Sequence, residues 1–189
     1  TNAERRRELA VMNSQAMRVF EMISDMMLFA RPPKPQLAPC NLTAIVDQVL
    51  AELAAKIFER KTTIQRAGDC EPIELTADAV QLAVALRALF DNAINAMGRG
   101  GTLTIRIDRR ANEHEDQEQA IITIRDTGPG ISAEARRHLF DPFYSGRRAG
   151  RGLGMGLAKC WRIVTNHGGT IEVESEAEQG ATFTIRLPI

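Results

Sequence analysis

Asn92 and Asn95 stand one helical turn apart in a stretch, Asp78 to Met97, that reads as a helix, so both amides face a common partner. An asparagine carbonyl is a hard oxygen ligand suited to Mg2+, although the same group also serves as a plain hydrogen-bonding partner in a core. Asp126 ends an apolar strand pattern and is followed by Gly128 and Gly130. A carboxylate there either accepts from the exocyclic amine of an adenine or simply shapes the turn. Farther on, Gly150, Gly152, Gly154 and Gly156 fall at every second position and run into an apolar helical pattern. Glycines that open a helix leave unpaired N–H groups at the positive end of the helix dipole, where phosphates bind. Between the two glycine clusters lie Phe143, Tyr144, Arg147, Arg148 and Arg151. These residue types describe a nucleotide site with a mobile basic lid over residues 141–151. Neither common phosphate fingerprint is present, since no G-x-x-x-x-G-K-S/T and no G-x-G-x-x-G occurs, so a nucleotide site here is of another kind.

The rest of the chain must position these groups. Residues 1–30 read as one helix in which Leu9, Met12, Ala16, Val19, Ile23, Met26 and Ala30 recur at steps of three and four. That period of about 3.5 residues is the seam of a coiled coil or helical bundle, and it implies a partner helix. The prolines of Arg31-Pro-Pro-Lys-Pro35 stop the helix and form a semi-rigid linker, which sets a domain boundary at residue 35. Asn41 caps a second helix over 42–60, and Thr62 to Gln65 reads as a short strand. The helix from Asp78 to Met97 is apolar around most of its circumference and therefore buried, which makes Asp91, Asn92 and Asn95 conspicuous. Alternation of period two marks strands over 102–107 and 120–125, joined by an acidic loop, and again over 170–175 and 181–187. A further helix covers about 153–166. Helices and antiparallel strands without a βαβ repeat make an α+β sandwich.

Bulk composition narrows the function. Lys+Arg and Asp+Glu both total 24 in 189 residues, so net charge supplies no nucleic-acid or membrane partner. Three dispersed cysteines form neither a disulfide framework nor a metal cluster, and suit a reducing cytoplasm. No apolar run approaches the length of a membrane span. The chain opens at Thr1 inside a helical pattern, and reads as a fragment of a longer protein.

Taken together, the motifs resemble the ATP-binding catalytic domain of bacterial sensor histidine kinases, within the gyrase, chaperone and kinase ATPase superfamily. Leu89-Phe-Asp-Asn-Ala-Ile-Asn-Ala-Met97 looks like the family's N box, and Asp126-Thr-Gly-Pro-Gly-Ile131 like its first glycine box. Leu139-Phe-Asp-Pro-Phe-Tyr144 looks like the F box, and Gly152-Leu-Gly-Met-Gly-Leu157 like the second glycine box. Asn166-His-Gly-Gly-Thr170 and Gly180-Ala-Thr-Phe183 match the elements that follow. Residues 1–35 resemble the second helix of a dimerisation and phosphoacceptor bundle with its linker, and residues 36–189 the catalytic domain. The resemblance implies a two-layer α/β sandwich with a mixed, mostly antiparallel sheet packed on helices, preceded by a long N-terminal helix.

It also implies ATP and Mg2+ as ligands, with Asn92 the catalytic group that coordinates the metal on the phosphates, and Asn95 approaching those phosphates. Asp126 is expected to read the adenine amine, with Gly128, Gly130 and Ile131 shaping the purine pocket and Thr182 adding a polar contact. Gly152, Leu153, Gly154, Met155, Gly156 and Leu157 would offer backbone N–H groups to the triphosphate, and Arg147 and Arg151, with Arg148, would be lid cations. The implied activity is transfer of the γ-phosphate to a histidine on a bundle helix that this sequence does not include. His114, His138 and His167 are not expected to replace that acceptor. Implied partners are ATP or ADP, a second copy through the N-terminal helix, and a response-regulator receiver domain. The expected setting is cytoplasmic, without nucleic acid and without membrane contact by this segment. One departure stands out. Ala88 occupies the position where the family usually has Asn and the gyrase-type ATPases a water-activating Glu; this disfavours hydrolysis and leaves a non-catalytic ATP-binding switch or scaffold as the alternative.

Overall fold

The computed structural model describes residues 2–30, 33–68, 71–111, 118–144 and 154–189. Helix α1 (Asn2–Ala30) is followed by strand β1 (Ala38–Asn41), helices α2 (Leu42–Glu52) and α3 (Ala54–Arg60), and strands β2 (Thr63–Ala67) and β3 (Glu74–Ala77). The long helix α4 (Ala79–Met97) leads to strands β4 (Thr102–Ala111) and β5 (Glu118–Asp126), and a short helix α5 (Ala133–Arg137) follows. Helix α6 (Gly156–Asn166) and strands β6 (Thr170–Ser175) and β7 (Ala181–Pro188) complete the chain.

Five strands form one sheet in the order β2-β4-β5-β7-β6, with β2 parallel to β4 and every other pair antiparallel. Alternation decides the layers. Leu103, Ile105, Ile122, Ile124, Phe183 and Ile185 point to one face and are buried in one core with residues of α2, α4 and α6. Thr104, Arg106, Thr123, Arg125, Thr184 and Arg186 fall on the other face by the same period. The fold is therefore an α+β two-layer sandwich with a mixed, mostly antiparallel sheet, preceded by a long helix.

Several local expectations shift. The helix expected over 42–60 is two helices, broken at Leu53 (φ −90°, ψ 1°), whose side chain is buried in the core. Behind the break Ile57 packs on the core while Phe58 is 87% exposed. Strands β1 and β3 pair with each other as a separate two-stranded sheet, with Cys40 opposite Leu75, and were not foreseen; nor was α5. Helix α6 begins at Gly156 rather than at 153. In α1, Leu9, Met12, Val19, Ile23 and Met26 are 44–67% exposed, so the heptad seam lies open on this single chain.

Candidate functional site

Helix α4 is the wall of the site. Asp78 caps its start, its carboxylate accepting from the Gln81 N–H at 3.0 Å, and Leu82, Ala85, Leu86, Leu89 and Phe90 sink into the core. Burying that stripe fixes the rotation of the helix, which leaves Ala88, Asn92 and Asn95 half-buried along one side. Ala88 meets the start of α6, where a Cβ placed on Gly156 would lie 3.9 Å from its own Cβ. At the other end Met97 lies against Gly128, whose Cβ would stand 3.5 Å from the Met97 backbone nitrogen. Asn92 falls between these two contacts, on a helical segment about 13 Å long.

Asp126 closes the floor. It ends β5 on the buried face, 4% exposed, and its Oδ1 accepts from the Gly128 N–H at 2.8 Å. Burial pushes its carboxyl above the ordinary value of 3.8, opposed by hydrogen bonds from the backbone N–H groups of Gly128 and Ala181. A carboxyl held this way at a strand end is a strong, oriented acceptor for an N–H of a ligand. The loop after it is wedged onto the β6–β7 turn. Ile131 donates its N–H to Ser175 Oγ at 2.9 Å, Ser175 donates to the Gly180 carbonyl at 2.6 Å, and Glu178 donates to the Pro129 carbonyl at 2.7 Å. Two glycines are required by this packing. Gly130 (φ 71°) and Gly180 (φ 80°) are in the left-handed region, and a Cβ would overlap the Glu176 carbonyl oxygen in one case and the Asp126 carbonyl oxygen in the other.

The other end of the wall meets the start of α6. Its N-cap, Met155, is buried and makes no side-chain capping bond to the first-turn amides of Gly156 and Leu157. A Cβ added to Gly154 (φ 67°) would overlap the Tyr144 carbonyl oxygen and stand only 2.6 Å from the Phe143 carbonyl carbon, so no side chain fits there. The F-box turn is thus packed directly on the approach to α6. Within it, His138 Nδ1 is 2.7 Å from Asp141 Oδ2, and the His138 and Tyr144 rings stand 5.6 Å apart. Arg147, Arg148, Arg151, Gly152 and Leu153 lie outside the described residues, as do the lid segment from 145 to 153 and His114.

Two expected residues sit differently. Thr182 does not join the Asp126 pocket, because its strand partners are Arg125 and Glu174 on the opposite face of the sheet. The residue opposite Asp126 is Ala181, which the sequence reading passed over although Ala181, Phe183, Ile185 and Leu187 alternate plainly as a buried set. Asn95 donates from Nδ2 to Asp91 Oδ2 at 2.9 Å, and Asp91 is in turn paired with Lys56 of α3. Met97 and Ser175 were also passed over, and their roles depend on long-range register that local spacing does not reveal.

For a divalent cation the donor set is informative. Among the described residues there is no group of three or more His, Cys, Asp or Glu that could hold a metal. A site offering one amide oxygen fits Mg2+, which keeps most of its ligands as water and phosphate oxygen, and would not hold a metal unaided.

The sequence model of the family described as histidine kinase-, DNA gyrase B- and HSP90-like ATPase matches residues 77–189, from the last residue of β3 to the last residue of the sequence. The chain belongs to that family. Sensor histidine kinase ZraS of Salmonella typhi is 32% identical over 183 residues, covering 96% of this chain and 38% of the relative. The chain thus spans well under half of the curated relative's length. The nucleotide-free catalytic domain of histidine kinase ThkA superposes with a TM-score of 0.70 at 26% identity, covering 81% of this chain and 95% of that one. Histidine kinase ThkA in complex with response regulator TrrA superposes with a TM-score of 0.76 at 22% identity, covering 94% of this chain and 49% of that one, a likeness of fold. This histidine-kinase-type domain therefore carries the nucleotide-binding ATPase fold, with Asn92, Asp126 and Gly154–Leu157 on three elements that converge.

Proposed function

We propose that the chain is the catalytic region of a sensor histidine kinase, binding Mg2+-ATP and delivering its γ-phosphoryl group to a histidine on a bundle helix. The observation that carries this reading is that α4 touches the start of α6 through Ala88 and the Asp126 turn through Met97, with Asn92 between. An adenine acceptor and a set of helix-start amides then stand at the two ends of one wall, as a nucleoside triphosphate requires. In the proposed roles, Asp126 accepts from the adenine amine, and Gly128, Gly130 and Ile131 border the purine. Asn92 orients the metal, and the amides of Gly154 to Leu157 face the phosphates. Arg147 and Arg151 supply lid cations, Gly152 and Leu153 continue the phosphate loop, and Asn95, tethered by Asp91, borders the same region. Bound Mg2+ would neutralise charge on the phosphates. Transfer breaks the bond from the γ-phosphorus to the bridging oxygen and forms a phosphorus–nitrogen bond, with ADP leaving and the imidazole proton released. Such chemistry asks mainly for positioning and charge neutralisation.

In this reading residues 1–35 are the second bundle helix and linker, residues 36–189 the catalytic domain, a second copy pairs along α1, and a receiver domain takes the phosphoryl group. The setting is cytoplasmic; no helix among the described residues is long and apolar enough to cross a membrane. Incubating the full-length protein with γ-labelled ATP tests the reading. Acid-labile, base-stable label on the chain supports it, and absence of such label removes it. The second reading, a non-catalytic nucleotide switch, is favoured by Ala88, whose methyl can neither bind a metal nor activate water; nucleotide binding without label would select it.

A further inference from the structure

The ends of α4 and α6 remote from the nucleotide site meet at a buried pair that the proposed function does not use. His167 caps the C-terminus of α6 and is 9% exposed. Its Nε2 accepts from the Asp78 backbone N–H at 3.0 Å, and its Nδ1 lies 2.8 Å from the Ile163 carbonyl oxygen. A backbone N–H can only donate and a carbonyl can only accept, so the ring is the neutral tautomer with its proton on Nδ1. The Asp78 carboxylate faces the linker as well as its own helix. Oδ1 caps α4 at the Gln81 N–H, while Oδ2 accepts from the Gln36 N–H at 2.9 Å. Gln81 then returns a second tie, Nε2 donating to the Pro33 carbonyl at 3.2 Å. Burial raises the Asp78 carboxyl, but hydrogen bonds from the backbone N–H groups of Gln36, Gln81 and Val80 outweigh it and leave it below its ordinary value.

The spacing links this cluster to the site. Ala88 lies ten residues beyond Asp78 and Gly156 eleven before His167, about 15 and 16 Å along their helix axes. Helices α4 and α6 therefore run antiparallel and are fastened twice, at Asp78–His167 and at Ala88–Gly156. The same Asp78 fastens the segment that enters from α1, and α1 itself touches α6. We infer that Asp78 and His167 are positioning residues that clamp the linker to both helices of the nucleotide site, so that the placement of the linker sets how closely the start of α6 approaches α4. The inference rests on the nucleotide reading only for its consequence in binding; the mechanical link stands apart from it.

Hydrogen exchange on nucleotide-free protein tests the link, and Mg2+-ATP titration tests the consequence. His167→Phe keeps the volume but removes the acceptor, and His167→Gln restores an acceptor near the Nε2 position. The expected result is amide exchange about tenfold faster in His167→Phe both at Gln36 and at residues 155–158, with both regions returned toward wild type by His167→Gln. Faster exchange at Gln36 alone, with the start of α6 unmoved, overturns the clamp. If His167→Phe does not fold, Gln81→Leu cuts the Pro33 tie while Asp78 still caps α4. The same two regions should then respond with smaller amplitude, and an unchanged α6 start again overturns the inference. Nucleotide affinity should fall severalfold in His167→Phe and recover in His167→Gln. Wild-type protein that binds no nucleotide counts against the functional reading while the exchange result still decides the clamp.

Discussion

A Cβ on Gly156 would stand 3.9 Å from the Cβ of Ala88, an ordinary van der Waals distance between the wall helix and the helix that presents its first-turn amides. Small residues on both sides allow this approach, and each side makes a different prediction. Gly156→Ala fills open space at a helix start, so stability should change by less than ~1 kcal/mol, in the favourable direction. Ala88→Leu pushes a branched side chain into the same contact and should cost about 1–3 kcal/mol while weakening nucleotide binding. Urea unfolding of the two variants checks both signs; a neutral Ala88→Leu would show that the helices are not packed as described.

Asp126 and Asp78 should leave opposite marks on the pH dependence of stability. The Asp126 carboxyl is raised above 3.8 by burial, so the folded state holds its proton to higher pH than the unfolded chain. Stability then falls as pH rises from 3.8 through the raised value. Asp126→Asn lacks that loss, so its stability relative to wild type should rise between acid and neutral pH, even as nucleotide affinity drops. For Asp78 the folded value lies below 3.8, and its contribution is present above that pH and lost as pH falls through the depressed value. Asp78→Ala, which removes a helix cap, should cost about 1–2 kcal/mol near neutrality and progressively less in acid. Thermal melts across that range check the two trends, and parallel curves for both variants would refute the assignment.

Much of this was legible in the chain itself. The apolar circumference of α4, the alternation of β4, β5 and β7, and the glycine clusters were set by local periodicity, and local periodicity is what burial of one face demands. The α2–α3 break was not, because Ala51-Glu-Leu-Ala-Ala55 contains no breaker, and only burial of Leu53 bends the helix there. The β1–β3 pair was hidden by its length of four residues each and by Pro39 in β1. Thr182 shows a subtler failure. Its alternation with buried Ala181 and Phe183 already placed it on the polar face, but the expected role drew it to Asp126. The clamp at His167 depends on a contact between residues 78 and 167, which no local pattern announces.

Gly180 makes a sharper prediction than the other glycines. It lies in the left-handed region at φ 80°, and its missing side chain leaves room for the Asp126 carbonyl. Gly180→Ala must both strain the backbone and displace the end of β5. The expected cost is on the order of 2–4 kcal/mol, together with loss of nucleotide binding, because the displaced strand end carries the Asp126 carboxyl. Gly98→Ala is the control. It also has a positive φ, of 75°, with ψ −102°, but nothing lies within 4 Å of its Cβ, so it should pay only for backbone strain, about 1–3 kcal/mol. Equal destabilisation of the two variants, measured by chemical denaturation, would show that the contact with Asp126 adds nothing.

The open seam of α1 makes the last prediction. Leu9, Met12, Val19, Ile23 and Met26 follow a heptad spacing, and each is at least 44% exposed. A stripe of that kind on a 29-residue helix is covered by another helix or left as a sticky face. Pairing of two copies along α1 would bury it, consistent with the proposed bundle role. Sedimentation should therefore show self-association that rises with concentration, and Met12→Lys combined with Ile23→Glu should abolish it. Affinity for Mg2+-ATP should be unchanged in that double variant, because both substitutions lie outside the α4, β5 and α6 segments proposed to build the site. A wild-type chain that sediments as a monomer at high concentration would mean that α1 does not pair with a second copy in this segment.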